Sequence, residues 1–197
     1  MLSPRINKII RDLWRNRARA ILTLFAMIVG IIGVGAILCA YSILVREMDA
    51  NYMLTRPASA SLSVNLADAE LIDGARHLPG IGEVEARGFF CGRIEVAQNE
   101  WRTLWLFVVP DFERQRLDAF TPEQGAWPPK PGEMLLERAA FRVADAKIGD
   151  ARRVVIPGHE AVTLRITGSV HAPGEAPAWM ENLVYGYITP ETLGLLG

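Results

Sequence analysis

Three histidines, two cysteines and a scatter of carboxylates are the side chains in this 197-residue chain that could carry a reaction, and their spacing argues against one. His159-Glu160-Ala161-Val162-Thr163 opens like the H-E-x-x-H of a zinc protease, in which two histidines one helical turn apart hold the metal and the glutamate activates water. Thr163 stands where the second histidine is needed, and the residues that follow alternate as a strand does, which is the wrong context. His77 and His171 are distant in sequence and have no cysteine pair nearby, so all three histidines read as surface residues. Cys39 lies in an apolar run and Cys91 far beyond it, so the two should not pair and the chain is not a disulfide scaffold. No G-x-x-x-x-G-K-[ST] phosphate loop occurs, nor any G-x-S-x-G or S-x-x-K string for a serine nucleophile. Glu133 and Glu137 would face the same way on a strand, but such pairs ordinarily meet solvent or arginine. The sequence offers no catalytic, cofactor-binding or metal-ligating set.

What would position any site here is a membrane anchor. Residues 20–45 carry no charge and include fourteen Leu, Ile, Val or Phe residues. As a helix they would be about 39 Å long, enough to cross a hydrocarbon core of about 30 Å with some tilt. Insertion scales of ~0.3 to 0.6 kcal/mol per residue put roughly 4 to 8 kcal/mol behind the bilayer state. Arg5, Lys8, Arg11, Arg15, Arg17 and Arg19 precede the run, offset only by Asp12, and Arg46, Glu47 and Asp49 follow it. That bias keeps the N-terminus cytoplasmic and sends the rest of the chain across. A cleavable signal peptide also begins basic and then turns apolar, but its apolar region is shorter and ends in small residues. Here the end is Tyr41-Ser42-Ile43-Leu44-Val45, and Ile37-Leu38 before Cys39 is too bulky for a lipoprotein site, so the anchor should stay uncleaved.

Residues 1–19 form the first of three expected regions. Ser3 and Pro4 suit a helix start, and Ile6, Ile9, Ile10, Leu13 and Trp14 then fall on one face, with the basic residues elsewhere. Such a helix belongs at a lipid surface. It reads equally as an interfacial helix that moves with the span and as a topogenic anchor alone. Within the span, Ala26/Gly30 and Ala36/Ala40 are small-xxx-small pairs that would permit close packing against another helix.

Residues 46–197, the third region, hold fifteen Lys/Arg against twenty-one Asp/Glu, a net charge of −6 that disfavours nucleic acid. Their pattern is mixed. Leu62, Val64 and Leu66 alternate with polar residues as a strand with one buried face, and Leu71, Ile72, Ala75 and Leu78 mark a helix over 68–78 that Pro79-Gly80 stops. Residues 89–96 and 101–109 are strands joined by a polar turn, and 104–109 is apolar throughout, as a central strand would be. After a Pro-rich passage at 127–132, residues 133–137 suit a strand and 139–146 a short helix. Residues 147–150 suit a turn, and 153–156, 162–170 and 184–188 suit strands. Thr189-Pro190-Glu191 starts a last helix. Trp101 and Trp105 share a strand face and should pack; Trp127 and Trp179, in loops, read as packing residues more readily than as contacts for a partner.

This arrangement resembles the opening section of the FtsX-like/MacB-type ABC transporter permeases. Residues 131–140 (PGEMLLERAA) resemble a "gEvllse.lA" stretch of that family's periplasmic core domain, and Lys147-Ile148-Gly149-Asp150 its "lGD" turn. Residues 164–170 (LRITGSV) resemble its "f.VvGiv" strand and 187–193 (YITPETL) its "vyvp..tl" segment, and the strings occur in the family's order. The resemblance implies an α+β fold: an amphipathic and a transmembrane helix, then a mixed α/β extracytoplasmic domain of two small lobes. One would be porter-like, near 58–115 plus the last strand, and the other β-rich, near 120–180. It implies a permease of the mechanotransmission type in a bacterial inner membrane, partnered by an ABC ATPase and by further permease helices or a second permease subunit. It also admits a periplasmic adaptor. ATP hydrolysis would reside in the ATPase, and this chain would not be an enzyme. The family carries three further transmembrane helices after the core domain, and no second apolar run of that length is present, as in a truncated or split permease. The competing readings are a membrane-anchored periplasmic enzyme and a ligand-binding or adaptor ectodomain.

Overall fold

The computed structural model describes residues 14–196. The expected amphipathic helix lies almost wholly outside them; of its apolar face only Trp14 is described, and it is exposed. The chain divides into two units, residues 1–50 and 51–197. Most of helix α1, Arg17–Leu54, lies in the first and its last residues in the second; it buries none of its residues and is apolar on every side along residues 20–45. A helix satisfies its own backbone hydrogen bonds, so its stretch 20–45, bare, apolar and uncharged, suits lipid as solvent. By length and composition it is the one described helix that could span a membrane.

The second unit is built on seven strands: β1 Gly88–Ala97, β2 Glu100–Val108, β3 Thr121–Gly125, β4 Glu133–Glu137, β5 Ala151–Val155, β6 Val162–His171 and β7 Leu183–Ile188. They form one sheet in the order β3-β6-β4-β7-β2-β1-β5. Because β5 pairs with both β1 and β6, six strands close into a ring, with β3 attached alongside β6. The pairs β2–β7 and β4–β6 are parallel and the others antiparallel. Ile94, Leu104, Leu106, Met134, Leu136, Val154, Ile156, Leu164, Ile166, Val184 and Ile188 are fully or almost fully buried and make the core. Helices are short: α2 Ala69–Arg76, α3 Ala140–Val143, α4 Ala178–Glu181 and α5 Pro190–Leu196.

Two expectations are corrected. The strands do not separate into a porter-like and a β-rich lobe, since those assigned to each are hydrogen-bonded into one continuous sheet. Residues 62–66 form no strand, and Leu62 and Leu66 are 85% and 78% exposed. The ring pairs most of its strand edges with one another and leaves little edge for them, and the one appended strand, β3, carries Pro122, which cannot donate to a ladder. Helix α2 does form, from its own capping: the Asp68 carboxylate accepts from the N–H of Leu71 at 2.8 Å. It buries none of its residues.

Two of the family-like strings fall on turns with a clear physical basis. Pro131 and Gly132 stand at the centre of a reverse turn in which the N–H of Glu133 donates to Lys130 O at 2.9 Å. Gly132 has φ +83, a conformation a β-carbon disfavours, and Pro131 supplies the preceding fixed φ. The turn sends the chain into β4, and the N–H of Gly132 donates to the Thr192 hydroxyl of α5 at 3.1 Å. Lys147–Asp150 is a second turn, closed by Asp150 N–H to Lys147 O at 3.1 Å and by the Asp150 carboxylate on the Lys147 N–H at 3.0 Å. It feeds β5.

Candidate functional site

The residues singled out in the sequence for chemistry are not brought together. His159 lies in the exposed turn between β5 and β6. His77 ends α2, its Nδ1 2.7 Å from Asp73 O. His171 closes β6, and burial, reinforced by the Arg138 charge, lowers its pKa. Among the described residues no three His, Cys, Asp or Glu side chains converge as metal ligands. Cys39 and Cys91 are exposed and unpaired as a disulfide. Glu133 and Glu137 lie on β4; Glu137 is buried, its pKa raised by desolvation against the hydrogen bond from the Ala139 N–H and the charge of Arg138.

What the fold does build is a clasp on the chain leaving α1. The Thr55 hydroxyl donates to Tyr52 O at 2.6 Å, closing the last turn. The carbonyls of Thr55 and Arg56 then accept from the N–H groups of Ala119 at 2.7 Å and Asp118 at 3.1 Å. The Asp118 carboxylate accepts from the N–H of Ala58 at 3.2 Å, and the Arg56 guanidinium donates to Gln115 O. Arg56 and Asp118 both hold positive φ, at 53° and 43°, without being glycine. Left-handed backbone at two facing non-glycine residues is held only where the surroundings over-determine it, and it clusters at functional positions.

The loop that grips the exit, residues 111–120, contains no helix or strand. Gln115 braces it from inside: its Nε2 donates to Phe112 O at 3.0 Å and Phe120 O at 3.3 Å, while its Oε1 accepts from the Phe120 N–H at 3.0 Å. The amide is buried, so these bonds form where water does not compete. Aromatic rings fix the loop to the ring of strands. Phe120 packs at 4.4 Å (ring centroids) on Tyr187 of β7, and Phe112, Phe120 and Trp127 meet edge to face at 5.2–6.0 Å. Tyr187 in turn stacks on Phe107 of β2 at 5.4 Å. An open depression of about 360 Å³ lies over this cluster, with Arg56 and Glu113 also lining it.

A second set of bonds holds the far side of the same loop. The Glu85 carboxylate accepts from the N–H groups of Arg116 at 2.8 Å and Leu117 at 2.9 Å, and from Arg87 Nε at 2.7 Å. Arg87 also donates to Asp118 O at 3.0 Å and to Leu117 O, with its guanidinium 5.8 Å from the Phe120 ring centroid. Burial acts to raise the Glu85 pKa, but the two N–H donors and Arg87 outweigh it and leave the value lowered. A lowered folded-state pKa means stability that is present above the unfolded value and lost as the pH falls through the folded one. Amide protection factors at Arg116 and Leu117 are therefore expected to hold near neutral pH and to decline below the ordinary carboxyl value of 4.5. Measured by hydrogen exchange, a flat profile there would refute the role of Glu85, and Glu85→Gln should itself flatten it.

None of these clasp residues stood out in the sequence. Thr55-Arg56-Pro57 carries no motif, and Gln115, Glu85 and Arg87 look like ordinary polar residues. Trp127 is packed, as its sequence suggested, whereas Trp179 on α4 is 58% exposed.

No protein-family model matches the chain, and no curated protein matches it. Among solved structures it is similar to the extracellular domain of YknZ, a noncanonic ABC-type transporter from Gram-positive bacteria. The identity is 13% and the TM-score 0.43, over 72% of this chain and 73% of that one.

Proposed function

We propose that this chain is the N-terminal part of a permease subunit in an ABC transport system of the mechanotransmission type. The observation that carries the reading is the clasp: the chain leaving a long, bare, apolar helix is hydrogen-bonded at once into a folded β domain through Thr55, Arg56 and Asp118. A mere tether needs no such grip; a part that delivers force does. The family-like strings support the reading too: in the family's order they fall on the turn into β4, the turn into β5, the strand β6 and the β7–α5 junction. The basic flank of residues 5–19 keeps the N-terminus cytoplasmic and sets the β domain outside.

In this reading the chain is not itself an enzyme. A partner ABC ATPase hydrolyses ATP in the cytoplasm, and further permease helices, in this or a second subunit, make contact with it. Motion of α1 reaches the β domain, which acts on a substrate outside the bilayer. Purification from native membranes in mild detergent is the test. An ABC ATPase is expected to co-purify in fixed proportion to the chain. Repeated recovery of the chain without any ATPase would overturn the assignment.

A further inference from the structure

The loop 111–120 holds two pieces of chain that are well separated in sequence. On one side it bonds residues 55–58 as they leave α1, through Gln115 O, Asp118 and Ala119. On the other it bonds residues 83–87 just before β1, through Arg116, Leu117 and Asp118. The two sides meet within a few residues; Asp118 belongs to both, giving its N–H to Arg56 O and its own carbonyl to Arg87. Residues 59–82 therefore leave and return at a single root.

We infer that this loop is a mechanical relay: a displacement of residues 55–58 shifts residues 83–87 with it, and the reverse, with Gln115 as the positioning residue that makes the loop move as one piece. Coupling between two places requires a body whose arrangement both of them bias, not mere proximity. Here the body is the loop braced by the three Gln115 amide bonds and by the Phe112–Phe120–Trp127 cluster. With no ladder or helix of its own, the loop owes its internal stiffness to those groups and to the Asp111 carboxylate, which accepts from the N–H groups of Glu113 at 2.9 Å and Arg114 at 3.0 Å. Facing left-handed residues at Arg56 and Asp118 give the exit side little room to shift alone. The relay also fixes where residues 59–82 are presented, and these carry the exposed Leu62, Leu66, Leu71, Leu78 and Ile81. It rests on these contacts alone. Its failure would leave the ATPase co-purification test of the proposed function untouched, and a failure there would not decide this one.

The test is residue-resolved hydrogen exchange on the full chain in lipid nanodiscs. Glu85→Gln weakens the far side only. The relay requires the exit-side amides that make the clasp, Ala58 on the Asp118 carboxylate and Ala119 on Thr55 O, to exchange about tenfold faster in that variant, while the β4 amides of Leu135 and Leu136 stay at the wild-type rate. Arg56→Met weakens the near side and should speed Arg116 and Leu117 by the same factor, because coupling free energies are reciprocal. In a Gln115→Met background, which keeps the volume and removes the amide, Glu85→Gln should no longer reach Ala58 or Ala119. Acceleration confined to Arg116 and Leu117 in Glu85→Gln, or spread equally to β4, would overturn the relay.

Discussion

Phe120→Ala is expected to cost the β domain about 3–5 kcal/mol, the range for removing a buried aromatic ring. The ring is only 4% exposed, and it touches three other rings: Tyr187 at 4.4 Å, Trp127 at 5.8 Å and Phe112 at 6.0 Å. Its backbone matters as well, since the Phe120 N–H and carbonyl are two of the three partners of the Gln115 amide. Truncation leaves a cavity between loop and β7 that neither neighbour can fill, because Tyr187 is itself pinned against Phe107. Chemical denaturation of the full chain in detergent, followed by near-UV circular dichroism, measures the loss. Phe120→Leu, which keeps much of the volume, should cost distinctly less. If both variants matched the wild type, the loop would not be bonded to the ring of strands through this side chain, and the clasp would have no foundation.

Local order was legible in the sequence; closure was not. Residues 88–97 and 100–108 form the expected hairpin because their apolar, strand-prone runs, the alternation at Arg93-Ile94-Glu95-Val96 and the short polar turn are properties of neighbouring residues. Asn99 holds the left-handed turn position at φ 62, and its N–H reaches back to the Glu95 carboxylate at 3.2 Å. The same alternation at Leu62, Val64 and Leu66 misleads. A periodic pattern says that a segment could bury one face, not that any strand edge is free to receive it, and the ring uses its edges on itself. Lobe division failed for the same reason. The pairing of β5 with both β1 and β6 is a long-range event that no short string encodes. The clasp was hidden differently: Gln115 is a common polar loop residue, and only its burial gives three backbone groups their partner.

The closure itself can be tested at one atom. The seam between β1 and β5 is short, pairing Arg93 with Val155 and Ile94 with Val154. A side-chain fork helps it, with Arg153 donating through Nε and an Nη to the two Glu95 oxygens at 2.6 and 2.7 Å. That contact holds the Glu95 pKa at about 2. Beside the seam, a β-carbon on Gly92 would fall 2.5 Å from Val155 O and 3.1 Å from Ile156 Cγ2. The first obstacle is backbone and cannot rotate away, so β5 must retreat from β1. Gly92→Ala is therefore expected to cost about 1–3 kcal/mol, the usual penalty for overpacking. The loss should concentrate at the seam, with the amides of β5 exchanging faster than those of β2. Gly186→Ala on β7 makes the contrast. There the nearest atom, at 2.8 Å, is the Met134 sulfur, the flexible part of a side chain that can shift, so the penalty should be smaller. Should Gly92→Ala prove as stable as the wild type, the strands would not close at this seam. The β domain would then be an open sheet with β1 and β5 as free edges, able to accept residues 62–66 after all.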